Sequence, residues 1–156
     1  MNIHQQYMEM AGRLAEENVS RGGGPFAALV VRNHEVIATG CNKVTEKHDP
    51  TAHAEIEAIR KATAKLGTYD LSGCIIYASC EPCPMCLGAI YWSRADAIYF
   101  GNTRHDAAAI GFDDDFIYRE LEKPVTERSI PTQQIKTENT RKAFEAWMQN
   151  PEREEY

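Results

Sequence analysis

Ile3, Tyr7, Met10 and Leu14 recur at alternating steps of four and three. That period lays one apolar stripe along a helix and predicts an amphipathic helix from about Asn2 to Ser20. The run Gly22-Gly23-Gly24-Pro25 ends it, because glycine and proline both disfavour helix continuation. Two strand-like runs follow, Phe26–Arg32 and Glu35–Asn42, joined at Asn33-His34; this is the pattern of a β-hairpin. A polar loop from Lys43 to Pro50 leads to a second helix, His53 to Lys65, with Thr51 as its expected N-cap and Gly67 at its end. Glu57 reads as a solvated side chain on that helix. Cys74–Ser79 reads as a third strand, Cys83–Trp92 as a third helix and Ala97–Phe100 as a short fourth strand. An aspartate-rich polar stretch runs from Asn102 to Asp115, followed further on by a helix over Glu138–Gln149 and a charged segment from Asn150 to Tyr156. Helices alternate with strands after the hairpin, which predicts an α/β fold with a mixed sheet covered by helices on both faces.

The chain has 156 residues, enough for one domain with its own core. No apolar run reaches the roughly 18 residues of a membrane-spanning helix, and the N-terminus lacks the basic and apolar regions of a signal peptide. Five cysteines, an odd number, favour a reducing cytoplasm over a disulfide scaffold. Cys41 and Cys74 lie in apolar, strand-like stretches and read as small core residues. The net charge of −6 argues against a phosphate-tracking nucleic-acid surface and towards a small free substrate.

The chemistry is concentrated in two blocks, His53-Ala54-Glu55 and Pro82-Cys83-Pro84-Met85-Cys86. Zinc takes nitrogen and sulfur donors in a tetrahedron, and catalytic sites keep one position open for water. His53, Cys83 and Cys86 supply three ligands, whose two thiolates balance the charge of the ion. Cys83 and Cys86 fall on one face of a helix that starts near Cys83, and Pro84 suits a first helical turn. A helix N-terminus also favours thiolates. Glu55 stands where a carboxylate can take a proton from water at the open position and return it to a leaving group. Other readings compete. An iron–sulfur run starting at Cys80 would need a further cysteine where Ile90 stands. A closed structural zinc would use Cys80 as fourth ligand, giving a non-catalytic zinc module.

The H-x-E and P-C-x-x-C blocks are the signature of zinc-dependent deaminases, and with the hairpin before them they resemble the cytidine deaminase-like superfamily. The segments GGGPFAALVV, CNKVTEKHDPTAHAEIEAIRKA, SCEPCPMCLGAIYWSRADAIYF and GFDDDFIYREL are similar to those of the bacterial guanine deaminases. The resemblance implies a three-layer α/β/α fold around a mixed sheet of about five strands. It implies one zinc per subunit on His53, Cys83 and Cys86, and hydrolysis of guanine at C2 to xanthine and ammonia. It assigns Glu55 the proton transfer and Asp114 the guanine edge together with a part in that transfer. Asn42, Phe26, Ala54 through its backbone N–H, Trp92, Phe112 and Tyr156 are implied to contact the base. It further implies a single domain over residues 1–156, in a homodimer whose C-terminal segments, from about residue 122, are exchanged so that Tyr156 closes the partner's pocket. Neither nucleic acid nor membrane is expected as a partner. The alternatives from the same chemistry are deamination of adenosine in tRNA, of cytosine, or of triazines.

Overall fold

The computed structural model describes residues 1–156. Contacts divide the chain into two compact units, Met1–Asp115 and Phe116–Tyr156.

The first unit begins with α1 (Ile3–Ser20), whose N-cap Asn2 forms a reciprocal capping box with Gln5. β1 (Ala27–Arg32) and β2 (Glu35–Cys41) form the expected hairpin. Asn33 and His34 at its tip have φ of 50° and 64°, the left-handed pair that matches the twist of a two-residue hairpin turn. A four-residue helix α2 (Val44–Lys47) interrupts the expected loop. Next come α3 (Ala54–Leu66), β3 (Cys74–Cys80), α4 (Pro84–Ser93), β4 (Ala97–Asn102) and α5 (Arg104–Ala109). The sheet has four strands in the order β2-β1-β3-β4, with β1 antiparallel to both neighbours and β3 parallel to β4. The chain after β4 enters α5 through a Thr103/Asp106 capping box and adds no further strand.

Alternation along β1 divides the core. Ala28 and Val30 face Ala54, Ala58 and Ala62 of α3, with Ile76 and Ile90. Leu29 and Val31 face Tyr7 and Ala11 of α1, with Tyr77. The sheet is thus sandwiched between α1 on one side and α3 with α4 on the other, as the strand period of two requires. The alanines four residues apart on α3 let it lie close to the sheet. At Gly40 of β2, a Cβ would stand 2.2 Å from the Ala54 carbonyl oxygen and 2.4 Å from the Ala58 nitrogen. Along β2, Lys61 and Lys65 of α3 donate to the carbonyls of Thr39 and Ile37.

Two expectations on α3 change. Its N-cap is His53, and the Thr51 hydroxyl instead donates to Asp49 at 2.7 Å. Glu57 is 5% exposed, not solvated, because Lys47 of α2 reaches over and donates to both carboxylate oxygens at 2.9 and 2.7 Å.

The second unit comprises most of α6 (Asp115–Glu122), a 3-10 turn at Val125–Glu127 and α7 (Glu138–Gln149), capped by Thr137. Glu120 accepts from the backbone N–H and hydroxyl of Ser129 and pairs with Lys123. Neither α6 nor α7 has a buried residue, and Phe144 is 80% exposed. No helix of the chain is long and apolar enough to cross a membrane.

Candidate active site

His53 and Cys83 are the N-caps of α3 and α4, both with extended backbone, so two helix starts converge on one point. Cys83 leads directly into Pro84 and accepts from the Cys86 N–H at 3.5 Å, so its sulfur lies against unpaired first-turn amides. One ligand atom each from His53, Cys83 and Cys86 lies within 4.8 Å of the others, and both sulfurs are 3.5 Å from His53 Nδ1. Tetrahedral zinc with its usual bond lengths separates a sulfur from a nitrogen ligand by about 3.5 Å. The donor set therefore fits zinc in both chemistry and spacing.

The two thiols of the donor group differ in acidity. The Cys83 thiol falls to about 4, chiefly because Cys86 donates to it, with His53 adding to the effect. The Cys86 thiol is pushed up by the same contact and by burial. His53 is raised, first through its contact with Cys83. Cys80 stands outside the group. Its thiol donates to the Thr103 carbonyl at 3.6 Å, and burial pushes it up to about 11.

A cavity of about 550 Å³ opens beside these ligands. Glu55, 8% exposed, borders it in the first turn of α3, and burial raises its carboxyl above the ordinary range. Asn42 borders it at the end of β2, with Ala54 at the helix start. Phe26 and Phe112 form an aromatic wall, edge to face with ring centroids 4.9 Å apart. Of the three consecutive aspartates, Asp114 lines the cavity. Asp113 instead accepts from the Asp115 N–H at 3.0 Å, and Asp115 begins α6. Burial raises the Asp114 carboxyl, with the Arg104 guanidinium opposing. Trp92 is 68% exposed on α4 and is not part of the cavity wall. Tyr156 belongs to the second unit and is exposed.

Several lining residues have no motif to announce them. Ser79 accepts from the Ala27 N–H at 3.0 Å, joining β3 to β1 at the cavity floor. Glu81 accepts from the Arg104 N–H at 2.9 Å, and both side chains border the cavity. Gly22, Gly23 and Gly24 line the opposite wall. The glycine run and the EPC tripeptide were the visible signals, though each reads equally well as a turn.

Residues 1–102 match the family model of the cytidine and deoxycytidylate deaminase zinc-binding region, and the chain belongs to that family. Within it, the likeness to guanine deaminase runs the full length. The chain is 50% identical over 154 residues to guanine deaminase of Bacillus subtilis (strain 168), covering 98% of this chain and 99% of that one. The X-ray structure of the Bacillus subtilis guanine deaminase matches with a TM-score of 0.96, over 100% of this chain and 99% of that chain. Guanine deaminase from Nitrosomonas europaea matches at 39% identity and a TM-score of 0.66, covering 69% and 63%. The tRNA-specific adenosine deaminase of Bacillus subtilis is 38% identical over 101 residues, 65% of this chain and 63% of that protein.

Proposed function

We propose that this protein is a guanine deaminase that releases ammonia from C2 of the free base to give xanthine. The observation that carries this reading is the His53–Cys83–Cys86 donor group with Glu55 beside it, in a cavity whose other polar side chains include Asn42 and Asp114. The full-length likeness to guanine deaminase supports the choice of base.

One zinc per subunit is held by His53, Cys83 and Cys86. When bound, it supplies a Lewis acid that makes water nucleophilic at neutral pH. Glu55 takes a proton from the attacking water and delivers it to the ring nitrogen. It then takes the remaining proton of that water from the new C2 hydroxyl and passes it to the amine, so that ammonia leaves as the C2–N bond breaks and the C2 carbonyl forms. Burial, which raises its carboxyl, favours the return of a proton it has accepted. Asp114 accepts from the ring N1–H and the exocyclic amine and shares in proton delivery. Asn42 donates to the base, Ala54 offers a first-turn N–H, and Phe26 with Phe112 stacks and excludes water.

The functional unit is a homodimer with C-terminal segments exchanged from about residue 122, which brings Tyr156 to the base in the partner's pocket. Two exposed surfaces support this: Phe144 and Met148 on α7, and Tyr91 with Trp92 on α4. Apolar surface of this kind marks an association site. The five cysteines, none in a disulfide, support a cytoplasmic setting.

Ammonia release from guanine, adenine, cytosine and cytidine tests the assignment, with guanine expected to lead. Glu55→Gln is expected to keep its zinc and lose about 10²–10⁴-fold in turnover. Full turnover by that variant would overturn the mechanism, and inert guanine beside an active second base would overturn the substrate. Deamination of tRNA adenosine is the second reading, favoured by the likeness over 101 residues and opposed by the net charge of −6.

A further inference from the structure

Asn18, near the end of α1, is 3% exposed and bears a polar side chain that no motif marks. Its Nδ2 donates to the Gly24 carbonyl at 2.8 Å and to the Asn42 carbonyl at 3.0 Å, which uses both of its hydrogens. Its own carbonyl accepts from the N–H groups of Arg21 and Gly23 at 3.2 and 2.9 Å. One residue thereby joins the end of α1, the glycine wall of the cavity and the end of β2.

The packing around it leaves little slack. A Cβ on Gly23 would stand 2.3 Å from Asn18 Nδ2, and a Cβ on Gly24 would stand 3.2 Å from Asn42 Cγ. Asn42 is fixed from two other directions. Its N–H donates to the Phe26 carbonyl at 3.1 Å, and its Oδ1 accepts from the Val44 N–H at 3.2 Å. The Val44 contact orients the Asn42 amide and leaves both Nδ2 hydrogens for an acceptor on the base. The direction of those hydrogens follows from where the Asn42 backbone sits, and Asn18 holds that backbone.

We propose that Asn18 is a positioning residue for the substrate: its buried amide ties the Gly22–Gly24 wall to the Asn42 peptide and so aims the Asn42 side chain into the cavity. The inference rests on the reading of Asn42 as a base contact. A residue that merely ended α1 would affect stability alone. A positioning residue affects the affinity for the base, and does so through Asn42.

The test is a double-mutant cycle on the zinc-loaded enzyme, reading kcat, KM and zinc content for Asn18→Asp, Asn42→Ala and the double variant. Asn18→Asp keeps the shape and removes the donors. It is expected to raise KM about tenfold, the effect of roughly one hydrogen bond lost between Asn42 and the base, with kcat and zinc content close to those of the parent. In the Asn42→Ala background the same change should shift KM less than about twofold. An unchanged KM overturns the proposal, as does an equal fold-change in both backgrounds or a loss confined to kcat. Gly23→Ala serves as a second variant, since it displaces the Asn18 amide without removing it. A raised KM supports the proposal and a parental KM overturns it, even if Asn18→Asp fails to fold. If the parent turns over another base of the panel and not guanine, the substrate reading fails, while coupling measured with that base still decides the role of Asn18.

Discussion

Cys80, Cys83 and Cys86 stand three residues apart, yet their sulfurs meet different surroundings. Cys83 caps a helix, Cys86 is buried in its first turn, and Cys80 points to the Thr103 carbonyl from the end of β3. Only the last two members of the run share a helical face, so the extended C-x-x-C-x-x-C string does not make a three-thiol site. Cys80→Ser is therefore expected to keep a full equivalent of zinc by metal analysis, and Cys83→Ser to lose most of it. The metal group and Glu55 were legible as residue types at fixed spacing, because coordination demands those atoms. Glu57 was not. Its burial comes from Lys47, ten residues earlier on a helix too short to show a period. Asn18 escaped for a related reason: one of its partners, Asn42, meets it only once the hairpin has folded back over α1.

Among the elements, the long ones announced themselves and the short ones did not. α1, α3 and α7 carry a period of 3.6 over enough residues to be read, and the hairpin strands read as short apolar runs around a turn. α2 and α5, of four and six residues, are made by local caps and tertiary contact. The Thr103-x-x-Asp106 box was the available signal for α5, hidden within a stretch that reads as polar loop. The close approach of β2 to α3 at Gly40 is a second feature that no pattern declares. Gly40→Ala would force the two backbones apart, since the contacts at 2.2 and 2.4 Å are to main-chain atoms that cannot rotate away. Overpacking of this kind costs about 1–3 kcal/mol. The expected result is a lower denaturant midpoint at unchanged m-value, with activity reduced because α3 carries both His53 and Glu55.

For the whole molecule, the two units differ in what holds them. Residues 1–115 have a core on both faces of the sheet, whereas α6 and α7 bury nothing of their own. A segment with that exposure is stabilised by what it docks on, and an exchanged dimer supplies such a surface. Phe144→Asp is expected to shift the protein from dimer to monomer at micromolar concentration, read by light scattering after gel filtration. Tyr156→Ala is expected to leave the dimer intact and raise KM for the base about tenfold. A monomeric parent, or a Tyr156→Ala variant with unchanged kinetics, would remove the exchanged segment from the account of the site. None of this was legible in the periodicity, which reports that α7 is amphipathic and says nothing of which copy its apolar face meets.

The two lysines along β2 have an effect far from the cavity. The carbonyls of Thr39 and Ile37 are those an edge strand would offer to an incoming chain, and Lys61 and Lys65 already occupy them. Placing charge on a sheet edge is a means of discouraging templated aggregation. One rim of this sheet is thus closed to strand addition, while the other rim, β4, has the sequence AIYFGN and no lysine. Two ammonium groups that take no part in the chemistry thereby guard that rim. Neutralising Lys61 and Lys65 is expected to raise self-association through β2, read by light scattering at high protein concentration.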